Sequence, residues 1–174
     1  DSAPQIHGVL MEVERGQLHM ASTDRYRLAI ATAQVFQPGA VDGSILMKYP
    51  NAVTLLKTIP TKPGYGETID VRTVNGHVFG VSMGRPLEAP TWDCTFTAEE
   101  KTFPEWRTLV PSELKETTEV AFDFALLGDI VKMPHDKKEP GTWFLNGPVR
   151  PCMMKWEFND VDWTYLLMPA RMSK

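Results

Sequence analysis

Cysteine is scarce in this sequence, and no segment has the character of a membrane anchor. The 174 residues include only Cys94 and Cys152, which lie far apart with no CxxC spacing. This pattern excludes a disulfide framework and fits a reducing cytoplasm. No apolar run approaches the 18 residues of a membrane span, and residues 1–5 lack the basic start and apolar core of a signal peptide. We therefore expect a cytoplasmic protein that does not contact a membrane.

Motifs for catalysis and for cofactor binding are also absent. The sequence contains no GxxxxGK[ST], no GxGxxG after a strand and no GxSxG. Four scattered histidines, His7, His19, His77 and His135, have no second ligand at helical or hairpin spacing, so we expect packed or surface side chains rather than metal ligands. No pair of carboxylates is placed for acid and base roles. The sequence therefore predicts no catalytic residue, no metal and no cofactor.

An excess of positive charge is missing as well. With 18 basic and 22 acidic residues the formal net charge is −4, so any binding to DNA would need a local basic surface on an acidic body. An apolar content of 43% and a charged content of 23% are typical of a globular protein. The length allows one domain or two small ones. The chain begins at Asp1 without an initiator methionine, and we expect a piece of a longer protein.

Hydrophobic periodicity predicts a repeated unit of one strand, one helix and three strands. Three strands come first, at 6–13, at 18–21 and from the turn at Thr23-Asp24 to Val35. A first full unit follows, with a strand at 44–47, a helix at 50–59 and strands at 68–74, 77–82 and 92–96. After a proline-bracketed connector at 101–111, a second full unit has a strand at 119–122, a helix at 124–131 and strands at 142–145, 152–158 and 163–168. The predicted fold class is α+β.

One short stretch combines a turn signal with strand alternation. Asp24 can accept a hydrogen bond from its own backbone two residues on, which favours a turn. After it, Tyr26 and Leu28 fall on one face of a strand, and Arg25 and Arg27 fall on the other. A hairpin in an antiparallel sheet accounts for these residues without any further function.

Three stretches together resemble the bacterial β sliding clamp, the β subunit of DNA polymerase III. The first, similar to the family's Thr-Asp-x-x-Arg-Leu turn, is Thr23-Asp24-Arg25-Tyr26-Arg27-Leu28-Ala29. The second, similar to its connector between the second and third domains, is Phe103-Pro104-Glu105-Trp106-Arg107-Thr108-Leu109-Val110-Pro111. The third, similar to its last strand, is Tyr165-Leu166-Leu167-Met168-Pro169-Ala170-Arg171-Met172. Each is a modest signal alone, and the three in this order are specific.

The resemblance implies a DNA-clamp fold, with antiparallel sheets outside and helices lining one face. It also implies a processivity factor that tethers a replicative polymerase to duplex DNA without sequence specificity. Such a tether needs no catalytic residue. The implied partners are double-stranded DNA, a polymerase and a clamp loader, and the full-length protein would form a ring of identical subunits.

The resemblance further implies a hydrophobic pocket that binds short linear peptides of partner proteins. Its residues here would be Ile6, Thr23, Arg25, Tyr26, Arg27, Leu28, Pro104, Thr108, Leu109, Leu166, Leu167, Met168, Pro169, Ala170 and Arg171. Arg27 and backbone groups would orient the peptide. Arg25-Tyr26 stands where many bacterial clamps have Gly-His, and these larger side chains would narrow the entrance of the pocket. Ala170 is smaller than the Met of some members, which would open one wall of the pocket. We expect Leu167→Asp to abolish peptide binding with the fold intact.

Contact with DNA would come from basic side chains near the helices, as the resemblance implies. The candidates are Lys48, Lys57 and Lys62 near the first helix and Lys132 near the second. The alternative is that these are ordinary solvated surface lysines with no role in DNA binding.

The predicted domains depart from those of a bacterial clamp. We assign residues 1–100 to a clamp-like domain, 101–112 to a connector and 113–174 to a C-terminal clamp-like unit. A bacterial clamp protomer has three domains and six units, whereas this chain holds two units and the strands of a third. One explanation is a two-domain clamp of the kind phages use as trimers, without its N-terminal portion.

Two other functions stay open. A clamp-derived interaction module, encoded by a phage, would bind replication proteins or DNA without forming a ring. An unrelated α+β enzyme that shares only the repeat would have a cleft with perturbed carboxylates or histidines.

Overall fold

A computed structural model describes residues 8–35, 42–60, 68–75, 78–100, 102–113, 120–136 and 138–170. Within these ranges the strands are β1 (Gly8–Glu14), β2 (Gln17–Thr23), β3 (Arg27–Gln34), β4 (Gly43–Lys48), β5 (Thr68–Asn75), β6 (Val78–Gly84), β7 (Trp92–Thr97), β8 (Thr142–Phe144), β9 (Cys152–Phe158) and β10 (Val161–Leu167). The α-helices are α1 (Tyr49–Thr58) and α2 (Phe124–Gly128), with short 3₁₀ helices at Trp106–Leu109 and Ile130–Lys132. No helix in these ranges is long and apolar enough to cross a membrane.

The chain forms two compact units. The first comprises Asp1–Val9 and Ile45–Thr102, and the second comprises Leu10–Ser44 and Phe103–Lys174. These units cut across the predicted division at residues 100 and 113. The reason is that β3 pairs with β10, which joins the first strands of the chain to the last ones in one sheet.

The second unit is built on an antiparallel sheet with the strand order β1-β2-β3-β10-β9-β8. Its register is fixed by apolar cross-strand neighbours, such as Leu28 of β3 opposite Leu166 of β10. On the other side of β10, Leu166 lies opposite Met153 of β9. Because one-residue slips would exchange the two faces of every strand, this register decides which side chains share a surface.

The first unit contains α1 and the sheet β5-β6-β7. Pro50 lies in the first turn of α1, where its missing N–H leaves no hydrogen bond unmade. The central strand β6 supplies the core residues Phe79 and Val81, and the Phe79 ring lies 5.6 Å from that of Phe96. Gly8 is required for close packing, since a Cβ there would lie 2.5 Å from the carbonyl oxygen of Met47.

The region before α2 differs from the prediction. Residues 120–122 form no strand, and Glu119 lies outside the described residues. Instead, the Ala121 carbonyl accepts a hydrogen bond, 2.7 Å long, from the N–H of Ala170. The predicted strand at 119–122 is therefore wrong for residues 120–122.

The second helix is also shorter than predicted. Asp123 caps α2 by accepting a hydrogen bond from the N–H of Ala125, and the helix ends at Gly128. A 3₁₀ helix takes over at Ile130. Phe124 and Val131 are exposed, so the segment lacks the continuous buried stripe that stabilises a longer helix.

Candidate functional site

The turn at residues 23–27 is held by its own polar side chains. One carboxylate oxygen of Asp24 accepts hydrogen bonds from the backbone N–H groups of Tyr26 and Arg27, both 3.1 Å long. The Thr23 hydroxyl donates to the carbonyl oxygen of Arg27 at 2.7 Å. Arg25 has a φ of +78°, in the left-handed region that favours glycine. This strained position is the one where the resemblance gives Gly.

An apolar row crosses the sheet directly beside this turn. Thr23 lies opposite Leu28, Leu28 opposite Leu166, and Leu166 opposite Met153. Residues directly opposite in adjacent strands place their side chains on the same face of a sheet. Leu28 and Leu166 are 2% and 3% exposed. The row thus provides a closely packed apolar floor on one face.

The segment after β10, residues 168–170, is called the tail, and it lies against the 23–27 turn. The N–H of Met168 donates a 3.0 Å hydrogen bond to the carbonyl oxygen of Tyr26. Because Met168 precedes Pro169, its backbone is extended. The alternation of side chains between the two faces therefore continues past the end of β10, and Met168 lies on the same face as Leu166. Met168 is 38% exposed and Tyr26 is 62% exposed. Both are available to form a rim around the floor.

The connector lies on the same face of the sheet. The ring of Trp106 is 5.7 Å from that of His19, which stands four residues before Thr23 on β2 and therefore shares its face. The Arg107 guanidinium lies 4.3 Å above the Trp106 ring and donates to Glu12 and Glu14 at 2.6 and 2.8 Å. These contacts fix the 3₁₀ helix that carries Thr108 and Leu109.

The structure therefore brings most of the predicted peptide-site residues into one unit. Thr23, Leu28, Leu166 and Met168 share one face, and the connector that carries Pro104, Thr108 and Leu109 is anchored over that face. Arg25, Tyr26, Thr108, Leu109 and Met168 are exposed, while Thr23, Pro104, Pro169 and Ala170 are half-buried. Ile6 and Arg171 lie outside the described residues.

Several bacterial sliding clamps share this architecture. A sliding clamp from Pseudomonas aeruginosa, solved with a ligand, superposes with a TM-score of 0.77 over 99% of this chain at 14% identity. The DNA polymerase III β subunit from Thermotoga maritima gives a TM-score of 0.70 over 98% of the chain at 16% identity. The Bacillus subtilis sliding clamp gives 0.68 over 99% at 13% identity. No protein-family model and no curated protein sequence matches the chain.

The chain has the fold of the bacterial sliding clamp. The predicted α+β clamp fold and the resemblance on which it was based are confirmed at the level of structure. The chain spans 58–60% of the length of these clamps.

Within this clamp fold, Leu167 lies outside the apolar row, although the sequence predicts it among the pocket residues. It is opposite Arg27 and Cys152, in the row next to Leu166, and therefore on the other face of the sheet. Its exposed fraction is 0%. Leu167 is a core residue, so we now expect Leu167→Asp to disturb the fold rather than to leave it intact.

Arg27 also points away from the apolar row and is engaged in ion pairs. Its Nε donates to Asp24 at 2.9 Å, and its Nη1 donates to Asp129. The hydrogen bond to Asp129 raises the pKa of the Arg27 guanidinium, with smaller contributions from Tyr165 and Asp24. The pKa of Asp129 is lowered by its contact with Lys132 and then by that with Arg27. An arginine held in this way is not free to orient a peptide on the opposite face.

The candidate DNA-binding lysines are divided between the two units. Lys57 lies in the last turn of α1, and Lys48 directly precedes that helix, both in the first unit. Lys132 belongs to the second unit and forms an ion pair with Asp129. Lys62 lies outside the described residues.

Two surface cavities of the second unit lie away from the predicted site. One, of about 380 Å³, is lined by Thr142, Phe144, Lys155, Trp156, Asp162, Trp163 and Thr164. The other, of about 180 Å³, is lined by Ile130, Val131, His135, Asp136, Glu139, Pro140, Gly141, Met154, Trp156 and Glu157. Neither is lined by a predicted peptide-site residue. In the described ranges, no three side chains among His, Cys, Asp and Glu are grouped to hold a metal ion.

Sequence reasoning missed Met153, Asp129 and the glutamates that hold Arg107. Met153 completes the apolar row, but its face follows only from the register of β9 with β10. Asp129 and Glu12 lie 102 and 95 residues from their arginine partners. No local pattern connects charges at such separations.

The contact of His19 with Trp106 of the connector predicts that the stability of the protein depends on pH. Burial, followed by the nearby Arg107 charge, lowers the pKa of His19, against the opposing effect of Glu12 and Glu14. The folded protein therefore binds this proton less readily than the unfolded chain, so stability is complete above the unfolded pKa of about 6.5 and falls below it. We expect His19→Gln to reduce the drop in thermal midpoint between pH 7.5 and 5.5 by on the order of 2 °C.

The control for this measurement is His135→Gln, because His135 is exposed and its ring bonds to the carbonyl oxygen of Met133 rather than packing on the connector as His19 does. Its thermal midpoint should follow the wild-type pH profile. An unchanged profile for His19→Gln would remove His19 as a source of the pH dependence.

Proposed function

We propose that this protein is a clamp-type processivity factor that binds partner proteins through short apolar peptides. Support comes from the clamp fold and from the apolar floor between the 23–27 turn, the tail and the connector. In this proposal the chain is not an enzyme. It holds a replicative polymerase near duplex DNA, and a clamp loader would use the same site.

The observation that carries the proposal is a buried floor with an exposed apolar rim. Leu28 and Leu166 form the floor. Tyr26 and Met168 are exposed and linked through a backbone hydrogen bond, and Leu109 is 44% exposed on the anchored connector. Aliphatic and methionine side chains adapt well to leucine and phenylalanine anchors. Each buried anchor of this size contributes about 1.5–3 kcal/mol before the cost of ordering the peptide.

Fluorescence anisotropy with a labelled peptide of the type Gln-Leu-x-Leu-Phe tests the proposal. We expect a dissociation constant on the order of micromolar, since two or three anchors are balanced by ordering costs. The matched control peptide replaces both leucines and the phenylalanine by alanine and should not bind. Equal binding of both peptides, or no binding of either at about 1 mM, would contradict the proposed site.

A second candidate is a clamp-derived module that binds peptides but does not encircle DNA. It is favoured by the low positive charge of the helices, because α1 contains one basic residue, Lys57, and α2 contains none. Lys132, beside α2, is paired with Asp129. Non-specific DNA binding depends on unpaired lysines and arginines near phosphates.

DNA binding measured across a salt series separates the two candidates. A processivity factor should bind a duplex at about 50 mM salt and lose affinity steeply toward about 200 mM. Peptide binding without detectable duplex binding at the lower salt concentration would favour the module. The first candidate includes a ring of identical subunits. DNA binding should therefore be measured with this chain alone and with any longer polypeptide that contains it.

A further inference from the structure

We infer that Asp129 is a positioning residue for the proposed peptide site and acts on it through Arg27. The inference rests on the proposed function and adds a means by which the opposite face of the sheet controls the site. Asp129 lies on the face away from the apolar row and does not belong to the predicted pocket.

A continuous series of ion pairs links the 23–27 turn to the segment after α2 that carries Asp129 and Lys132. Asp24 and Asp129 both hold the Arg27 guanidinium, the first through Nε at 2.9 Å and the second through Nη1. The second oxygen of Asp129 accepts from the Lys132 ammonium. The side chains of Arg27 and Asp129 are each 30% exposed, so these contacts are partly shielded from solvent.

The segment that carries Asp129 is itself attached to the sheet. The hydroxyl of Tyr165 donates to the carbonyl oxygen of Leu126 in α2, at 3.3 Å. Tyr165 and Arg27 are on the same face, since Tyr165 precedes Leu166 and Arg27 precedes Leu28 in opposed strands. Asp129 is therefore presented to Arg27 from an anchored helix end rather than from a free loop.

The position of Arg27 in turn determines the backbone of the site. Its carbonyl oxygen accepts from the Thr23 hydroxyl at 2.7 Å, and its N–H donates to Asp24. The neighbouring carbonyl of Tyr26 accepts the N–H of Met168. Thr23, Tyr26 and Met168 all surround the apolar floor, so a displacement of Arg27 would move three parts of the rim together.

Neutralising Asp129 should therefore loosen the rim and leave the floor in place. The floor is held by the β2-β3-β10-β9 ladder, which does not depend on Asp129. The guanidinium would retain Asp24 only three residues away, within the turn itself. A local pair cannot fix the turn against α2, and we expect weaker peptide binding without unfolding.

The test compares peptide affinities of Asp129→Asn, Arg27→Gln, the double variant and Asp129→Glu. We expect Asp129→Asn and Arg27→Gln each to raise the dissociation constant about fivefold, and the double variant to be no weaker than Arg27→Gln alone. Asp129→Glu, which keeps the charge, should recover most of the affinity. Wild-type affinity in Asp129→Asn, or fully additive effects in the double variant, would overturn the inference.

Glu88→Gln is the matched control, because it cuts a different carboxylate–arginine pair, the one with Arg85 in the first unit. It leaves the 23–27 turn and the connector untouched and should keep the wild-type peptide affinity. A loss of peptide affinity equal to that of Asp129→Asn would mean that general destabilisation explains both, and would overturn the positioning role.

Amide hydrogen exchange separates this inference from the proposed function. If Asp129 positions the turn, the amides of Tyr26, Arg27 and Met168 should exchange several-fold faster in Asp129→Asn, while those of Ile30 and Thr164 should not change. This result does not require any peptide. Absence of peptide binding by the wild type would reject the proposed function, whereas unchanged exchange rates would reject the role of Asp129.

Discussion

Met168→Asp is expected to reduce the affinity for the Gln-Leu-x-Leu-Phe peptide at least a hundredfold while the protein remains folded. Met168 is 38% exposed and follows the last strand, so an aspartate there can stay solvated in the free protein. Peptide binding would have to remove water from that carboxylate against an apolar floor and an apolar anchor. Burying an unpaired charge in this way is strongly unfavourable. The measurement is the anisotropy titration, accompanied by a thermal unfolding curve.

Leu56→Asp is the control for this substitution. Leu56 is an exposed aliphatic residue of α1, and its replacement introduces the same charge in the first unit, whereas the proposed site belongs to the second. Its peptide affinity should equal that of the wild type. Wild-type affinity in a folded Met168→Asp protein would remove the tail from the site. Equal losses in both variants would instead indicate an effect of net charge.

Alternation along a strand predicted the faces of the 23–28 stretch well. It separated Leu28 from Arg27, and in the structure Leu28 belongs to the apolar row while Arg27 forms its ion pairs on the other face. The same rule was not sufficient for the tail. Leu166 and Leu167 are both aliphatic, because β10 is buried on both faces at this point, and composition alone does not show which residue faces the site.

Long-range pairing set the remaining limits of prediction. The strands and the helix α1 were predicted from local periodicity with errors of one or two residues at their ends. The pairing of β3 with β10 and the attachment of Arg107 to Glu12 depend on tertiary contacts that no local pattern contains. The predicted strand at 119–122 failed for residues 120–122 for a related reason. A short apolar run needs a partner strand, and Ala121 hydrogen-bonds to Ala170 of the tail instead.

In the second unit, the two faces of the sheet therefore have different roles. The face of Leu28 and Leu166 provides the floor of the proposed site, and the face of Arg27 and Tyr165 attaches the sheet to α2. Their alternation along the same two strands means that a site residue and a structural residue are always neighbours in sequence. Mutagenesis of this fold must be designed by face rather than by position in a motif.

Leu167→Asp is expected to unfold the second unit, in contrast to its neighbour Met168→Asp. Leu167 is 0% exposed and lies between Arg27 and Cys152 in the sheet. Loss of a buried leucine costs roughly 3–5 kcal/mol, and the buried carboxylate adds several more, which together approach the roughly 5–15 kcal/mol that keep a domain folded. Circular dichroism and urea unfolding measure this directly, with the volume-conserving Leu167→Met as the control, expected to cost less than about 1.5 kcal/mol. A folded, cooperatively unfolding Leu167→Asp protein would contradict the burial of this residue, and it would return Leu167 to the surface on which peptides are proposed to bind.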